Sequence, residues 1–439
     1  MAVVIPADGA DTTRGSLRAE RMRHAGPTEL EAALVSGRHR LLALFDGFER
    51  ALGEGGLRIT FDSVLNLPLW ELGHIGWFEE HWLARNPERV RGVRCDPHAA
   101  RSASVRSDAD ALYDSSNVPH AQRWQLDLPT ADATRAYLAQ VRASTLQSLR
   151  DSAPTDDALY FFRLVLFHED MHREAWCFMA QRLGIDLGAA MPGDGPSASA
   201  AHGEWHVPAG LSQIGSGTSG FAFDNELQAS ERFVEAFTID RAPLTWQRFL
   251  PFVEAGGYET ETLWSADGWA WINDSRDPVR CHPQHLRHTA SGWRQQRFGR
   301  WHALDLDAPV MHVSAHEAEA WCRWAGRRLP TEFEWETAAR LAETQREIFD
   351  WGEVWEWTAS PFAPYAGFTA HAYRDYSQPW FDGRPVLRGA SFATAPHMKH
   401  AHYRNYFPAD RDDVFAGFRS CALAQGHSTA ADGSVPSAV

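Results

Sequence analysis

Leu164-Val165-Leu166-Phe167-His168-Glu169-Asp170-Met171-His172-Arg173-Glu174 is the stretch around which the chain is organised. Two histidines stand four residues apart inside an apolar helical run. At about 100° per residue, His168 and His172 lie about 40° apart on one helix face. Phe161, Leu164 and Trp176 point roughly the same way, so this face is buried. Two imidazoles so placed can present their nitrogens to one metal ion. Two core histidines bonded to neighbours would leave the same pattern, and the rest of the chain has to decide between them.

The run sits in a helix expected from about Asp156 to Leu183, ended by Gly184. Three amphipathic stretches precede it. Leu30, Leu34, Leu41, Leu44, Phe45 and Phe48 mark a helix over about 28–52. A second helix follows Pro68, with Trp70, His74, Trp77, Phe78 and Trp82 on its heavy side. His74 is one turn from both Trp70 and Phe78, which makes it a third inward histidine. A third helix runs over about 131–150, capped by Thr130. Four such helices make an up-down bundle, and bundle cores commonly hold metals contributed by facing helices. The connection 87–129 has little periodicity. Its last part, Tyr113 to Trp124, carries His120, Arg123 and Trp124 and reads as an ordered loop lining a site.

Composition narrows the function classes. The chain has 439 residues, enough for two or three domains. Lys plus Arg is 42 against 57 Asp plus Glu, a net charge of −15 that argues against nucleic acid or an anionic membrane as partner. The five cysteines form no CxxC pair and read as reduced thiols of a cytoplasmic protein. Residues 1–16 show no signal-peptide pattern, and no apolar run reaches the roughly 18 residues of a membrane span. Nineteen tryptophans suit cores, and also pockets for flat rings and quaternary ammonium groups. Residues 1–26 are expected to be disordered, 27–186 to form the helical bundle, 187–203 a linker, 204–425 a second domain, and 426–439 a flexible tail. In the second domain short strands alternate with turns at 204–208, 213–215 and 233–240, with two short helices over 246–255 and 315–325. The fold class is therefore an all-α domain followed by an α+β domain. Oligomeric state is not legible.

Three ordered segments of the second domain carry a resemblance. They are Pro309-Val310-Met311-His312-Val313-Ser314, Gly326-Arg327-Arg328-Leu329-Pro330-Thr331-Glu332-Phe333-Glu334-Trp335-Glu336, and Phe415-Ala416-Gly417-Phe418-Arg419. With Trp355-Glu356-Trp357 and Arg388-Gly389-Ala390-Ser391 they resemble the formylglycine-generating-enzyme-like, or sulfatase-modifying, fold, a variant of the C-type lectin fold. Fused behind a bundle bearing HxxxHxE, this looks like the ergothioneine-synthase (hercynine sulfoxide synthase) family, whose bundle is called DinB-like. The resemblance covers about residues 28–423. It implies three histidines, His74, His168 and His172, holding a non-haem Fe(II). Glu174, about 120° around the helix from His168, falls off the ligand face. The implied reaction joins a sulfur or selenium atom to C2 of the hercynine imidazole with O2. Tyr365 is the implied proton donor. Asn405 is the implied contact to the hercynine carboxylate, with Tyr406 and Phe407 facing its trimethylammonium group.

Three positions depart from the members that use γ-glutamylcysteine. One clamp arginine is replaced by His120, leaving Arg123. The acid after the Asn is replaced by Phe407, and Met171 precedes the second motif histidine. Fewer charges suit a donor less charged than a dipeptide thiol, held by His120, Arg123, Trp124 and Arg411. These changes resemble the selenoneine-synthase branch, which implies a selenosugar as donor. A thiol donor such as γ-glutamylcysteine or cysteine is the neighbouring reading. A three-His site also fits a zinc hydrolase on ligand count, and the lectin-like fold alone fits a sugar-binding module without catalysis.

Overall fold

The computed structural model describes residues 10–193, 195–274 and 280–423. Six helices make the first domain: α1 (Ala10–Arg23), α2 (Pro27–Leu52), α3 (Pro68–Trp82), the short α4 (Ala109–Tyr113), α5 (Ala131–Arg150) and α6 (Asp156–Leu183). Helices α2, α3, α5 and α6 form the expected bundle. Thr155 caps α6 through its side chain, and Gly184 closes it in the left-handed conformation, φ 66°. Helix α3 is buried almost all round because α4 and α5 close over it. A Cβ on Gly73 would lie 2.2 Å from the Tyr113 ring, and one on Gly76 2.7 Å from Leu138. Glycine at these two positions lets α4 and α5 approach the α3 backbone.

The N-terminal expectation needs correction. Residues 10–23 form α1 instead of a disordered segment; residues 1–9 lie outside the described residues, as does the expected tail 426–439. The helix is anchored by contacts distant in sequence. Buried Arg23 donates to both carboxylate oxygens of Glu226, at 2.6 and 3.0 Å, and Glu20 pairs with His400 at 2.9 Å. The 87–129 connection holds α4 and several single helical turns. The linker is laid down on the second domain: the Ser199 hydroxyl donates to Asp350 at 2.6 Å.

The second domain contains a four-stranded sheet of β1 (Glu204–Val207), β4 (Phe237–Asp240), β13 (Cys421–Ala422) and β8 (Arg327–Arg328), in that order. A second sheet has the order β11 (Asn405–Tyr406), β10 (Pro385–Arg388), β9 (Trp355–Pro361), β12 (Ala416–Gly417). Two smaller antiparallel sheets are β2 (Gly210–Ile214) with β3 (Ser230–Val234), and β5 (Leu286–Thr289) with β6 (Gly292–Arg297) and β7 (Arg300–Ala303). The stretch expected as one strand over 233–240 divides into the end of β3 and all of β4, which enter different sheets. Helices α7 (Trp246–Glu254) and α9 (Ala315–Trp324) match the two expected ones, and α8 (Ala266–Ile272) and α10 (Glu332–Gln345) are additional. The charges in the recognisable segments pair with one another in the core. Arg388 meets Glu336, Arg404 meets Glu332 and Arg419 meets Glu356, all buried. This mutual pairing ties α10, β9 and β10 together.

Helix α6 joins the domains. Asp170, Glu174 and Gln181 lie about 200–240° around it from His168, away from the histidine face. Asp170 pairs with His397 at 2.6 Å. Glu174 accepts from Trp355 Nε1 (2.8 Å), Ser391 Oγ (2.5 Å) and Thr394 Oγ1 (2.8 Å). Gln181 bonds the backbone of Gln296 and Phe298.

Candidate metal centre and substrate cavity

His74 from α3 and His168 and His172 from α6 converge so that one nitrogen of each lies within 4.8 Å of the others. Their tautomers follow from their partners. His74 Nδ1 is 2.9 Å from the Tyr113 carbonyl oxygen, which can only accept, so Nδ1 carries the proton. His172 Nδ1 lies 2.5 Å from Glu71 Oε1, again an acceptor. That leaves His172 Nε2 as the nitrogen free to ligate, and it faces His168 Nε2 at 3.2 Å. Two ligand nitrogens about 2.1 Å from one ion, at a right angle, stand about 3 Å apart. The donor set thus fits a divalent metal. Burial pushes His74 down to about 3, with His172 adding to the effect, and holds His168 well below its ordinary value. Neutral imidazole is the form that ligates.

Aromatic rings enclose the cluster. His168 stacks on Phe78 with centroids 3.5 Å apart, and His74 stacks on Trp70 at 5.1 Å. The second domain reaches in with Tyr373, whose ring stands edge-on to His168 at 6.0 Å. Beside the cluster lies a cavity of about 270 Å³. Its walls include Glu71 and Met171 from the bundle and Tyr376, Tyr403, Asn405, Tyr406, Phe407 and Arg411 from the second domain. Five residues expected to touch substrate (Met171, Asn405, Tyr406, Phe407 and Arg411) are thus brought to one cavity.

Four expected site residues are placed elsewhere. His120 Nε2 bonds the Leu65 carbonyl at 2.7 Å, Arg123 donates to Asn66 Oδ1 at 2.6 Å and lies over Trp70, and Trp124 Nε1 donates to Ile59 O at 3.0 Å. Leu65 and Asn66 line the cavity. His120 and Arg123 therefore hold two residues of the wall, and Trp124 holds the segment leading to it. Tyr365 donates to Glu332 Oε2 at 3.1 Å and lies beneath the Arg404 guanidinium at 4.1 Å, inside the second domain's ion-pair core. The second-domain tyrosine whose ring lies against His168 and Phe78 is Tyr373. The overlooked signal is the pair Tyr373 and Tyr376, three residues apart, which one helical turn sets side by side with rings 6.1 Å apart.

Cys322 and Cys421 are buried, and burial pushes the Cys421 thiol up to about 12, so neither is a ready thiolate. Among the described residues, no helix is long and apolar enough to cross a membrane. The DinB superfamily model matches residues 33–175, and the sulfatase-modifying factor enzyme 1-like domain matches 194–353. A hercynine oxygenase of Mycolicibacterium smegmatis is 32% identical over 89% of this chain and 97% of that protein. One of Mycobacterium tuberculosis is 31% identical over 90% and 98%. The formylglycine-generating enzyme of Mus musculus is 31% identical over 39% of this chain and 49% of that protein. With a DinB-like bundle, a sulfatase-modifying-type second domain and full-length relatives of this similarity, the chain belongs to the hercynine oxygenase family.

Proposed function

We propose that His74, His168 and His172 hold a non-haem Fe(II), and that the enzyme uses O2 to join a chalcogen atom to the imidazole C2 of hercynine. The observation that carries this reading is the facing pair of Nε2 atoms, His168 and His172, beside a cavity closed by the second domain. Iron(II) held by these three imidazoles would supply O2 activation.

The chain's own residues have separable tasks. Phe78, Trp70 and Tyr373 exclude water from the cluster. Asn405 offers an amide to the substrate carboxylate. The rings of Tyr376, Tyr403 and Tyr406 offer faces to a trimethylammonium group. Tyr373 holds a proton at its hydroxyl, since burial, with Asp375 adding, raises it above the ordinary phenol value. It is the residue placed to deliver that proton. Glu174 aligns the second domain on α6.

The relatives are named for hercynine and for oxygenation; a thiol donor giving a carbon–sulfur product is the reading we put first. A selenosugar donor is the second reading, and the cavity wall supports it. Arg411 is engaged by Asp413, Arg123 by Asn66, and Phe407 stands beneath Arg411. Few formal charges are left for a zwitterionic peptide. The test is anaerobic loading with Fe(II), then hercynine, O2 and either γ-glutamylcysteine or a selenosugar. O2 uptake coupled to a C2-substituted product supports the iron reading, and the donor consumed decides between sulfur and selenium. Protein that binds iron but consumes neither donor nor O2 rejects the reading.

A further inference from the structure

We propose that Glu71 is a positioning residue for the metal centre: by accepting the His172 Nδ1 proton, it fixes that ring's tautomer and rotation and makes His172 the strongest donor of the three. The proposal rests on the reading that the three histidines hold a metal.

Glu71 and His74 are three residues apart on α3 and share a face. One helix therefore supplies a ligand of its own and the support for a ligand from α6. The three histidines are supported unequally. His74 donates to a neutral carbonyl, that of Tyr113. His168 is held flat against Phe78. His172 donates to a carboxylate, at 2.5 Å. A carboxylate partner raises the basicity of the far nitrogen as well as orienting the ring.

Burial strengthens the case. The Glu71 side chain is 3% exposed, whereas that of His172 is 19% exposed. His172 is the ligand with most room to turn, and it is the one tethered to a charge. A buried carboxylate is costly without compensation. The nearby guanidinium of Arg123 is directed to Asn66 and to the Trp70 face. Arg123 attracts the Glu71 charge across space, and a dication held at His172 Nε2 would balance it further through the ring. Glu71 also forms part of the cavity wall, so the same carboxylate borders both the ligand and the substrate space.

The test uses full-length protein freed of metal, with cobalt(II) as a spectroscopic probe and Fe(II) affinity read anaerobically against a chelator. Glu71→Ala should weaken metal binding by about 10- to 100-fold and change the cobalt d–d absorption. Glu71→Gln retains an acceptor oxygen without the charge. It should fall between wild type and Glu71→Ala, and it serves as the readable variant if Glu71→Ala does not fold. Glu71→Asp should restore affinity in part. Wild-type affinity and an unchanged cobalt spectrum in Glu71→Gln and Glu71→Ala would overturn the proposal while leaving the metal site intact. A His168→Ala protein that binds cobalt as well as wild type would instead overturn the metal reading, and the proposal with it.

Discussion

His168 and Glu169 are neighbours on α6, and both are buried, yet they belong to opposite kinds of polar cluster. Glu169 looks into a closed set. Arg38 and Arg142 each donate to Glu169 Oε2, at 2.8 and 2.6 Å, and both also pair with Glu79. Two cations meet two anions, and charge is balanced within the protein. Both arginines and both glutamates come from different helices, so the set locks α2, α3, α5 and α6 in register. The histidines, about 60–100° away on the same helix, do not close on themselves. His74 and His172 each turn Nδ1 to a protein acceptor, and the Nε2 atoms of His168 and His172 are left facing one another at 3.2 Å. A buried cluster that balances its own charge holds a fold; one of neutral rings with ligating nitrogens turned to each other is built for something else.

The sharpest way to break this contrast is to remove one member from each cluster. His168→Ala should bring bound iron to background and abolish turnover, while urea unfolding of the metal-free protein stays close to that of metal-free wild type. Arg142→Ala should do the reverse at first sight. It leaves Arg38 alone against two buried carboxylates and should cost about 3–5 kcal/mol of stability, with iron still bound by whatever fraction remains folded. If His168→Ala retains iron, or Arg142→Ala unfolds at wild-type urea, the division into working and structural clusters fails.

Tyr373 tests the chemistry on the open side. Tyr373→Phe keeps the ring against His168 and removes only the hydroxyl. Turnover should fall by about 10²-fold, the lower end for a lost proton donor, with iron affinity unchanged. Single-turnover kinetics and product analysis with wild-type iron content are the measurements. A variant with full rate and the same product would remove Tyr373 from the mechanism.

Acid should separate the two clusters without any substitution. The unfolded chain protonates His74 near 6.5, whereas the folded site holds it neutral down to about 3. The native state thus lacks a proton that the unfolded state binds, and stability falls as pH drops from 6.5 toward 3. The slope approaches about 1.4 kcal/mol per pH unit for this one histidine. Burial pushes Glu79 up, but Arg142 and Arg38 outweigh it and hold it at about 2, below its ordinary 4.5. Its contribution is intact above 4.5 and is lost only from there downward. Metal-free protein should therefore weaken between pH 6.5 and 4.5 mainly through the histidine side. Urea titrations at several pH values, repeated on His74→Gln, should show a shallower slope in that window for the variant.

Much of this was readable in the chain before any coordinates. Helical period and burial placed His74, His168 and His172 on inward faces, and the angle around α6 took Glu174 off the ligand face; in the structure Glu174 binds Trp355, Ser391 and Thr394. Helix α10 was not among the expected helices, although the sequence carries its signal: Thr331 and Glu334 stand at capping-box spacing. Other features are set by contacts distant in sequence. Helix α1 is held by Glu226 and His400, more than two hundred residues away, and its own polar composition hides it. His120, Arg123 and Trp124 had the composition of a lining loop. Local pattern could not show that the 59–66 segment stands between them and the cavity.

Tyr365 shows why composition alone misleads, and it supplies the smallest expected effect. It precedes Gly367 in a loop, the setting of an exposed functional tyrosine, and it lies only eight residues before Tyr373. The chain between them turns one inward to the ion pairs and the other outward to the bundle. Glu332 accepts from Tyr365 while also taking two hydrogen bonds from Arg404, so the phenol tops up a pair already satisfied. Removing a hydroxyl from such a place costs about 1 kcal/mol. Tyr365→Phe should thus lower the urea midpoint slightly and leave turnover within about twofold of wild type. The paired experiment is the informative one. A large loss of rate in Tyr365→Phe with none in Tyr373→Phe would reverse the assignment. Losses in both, with wild-type stability, would mean that the second domain's ion-pair core reaches the reacting atoms by a route that the separation of working and structural clusters does not contain.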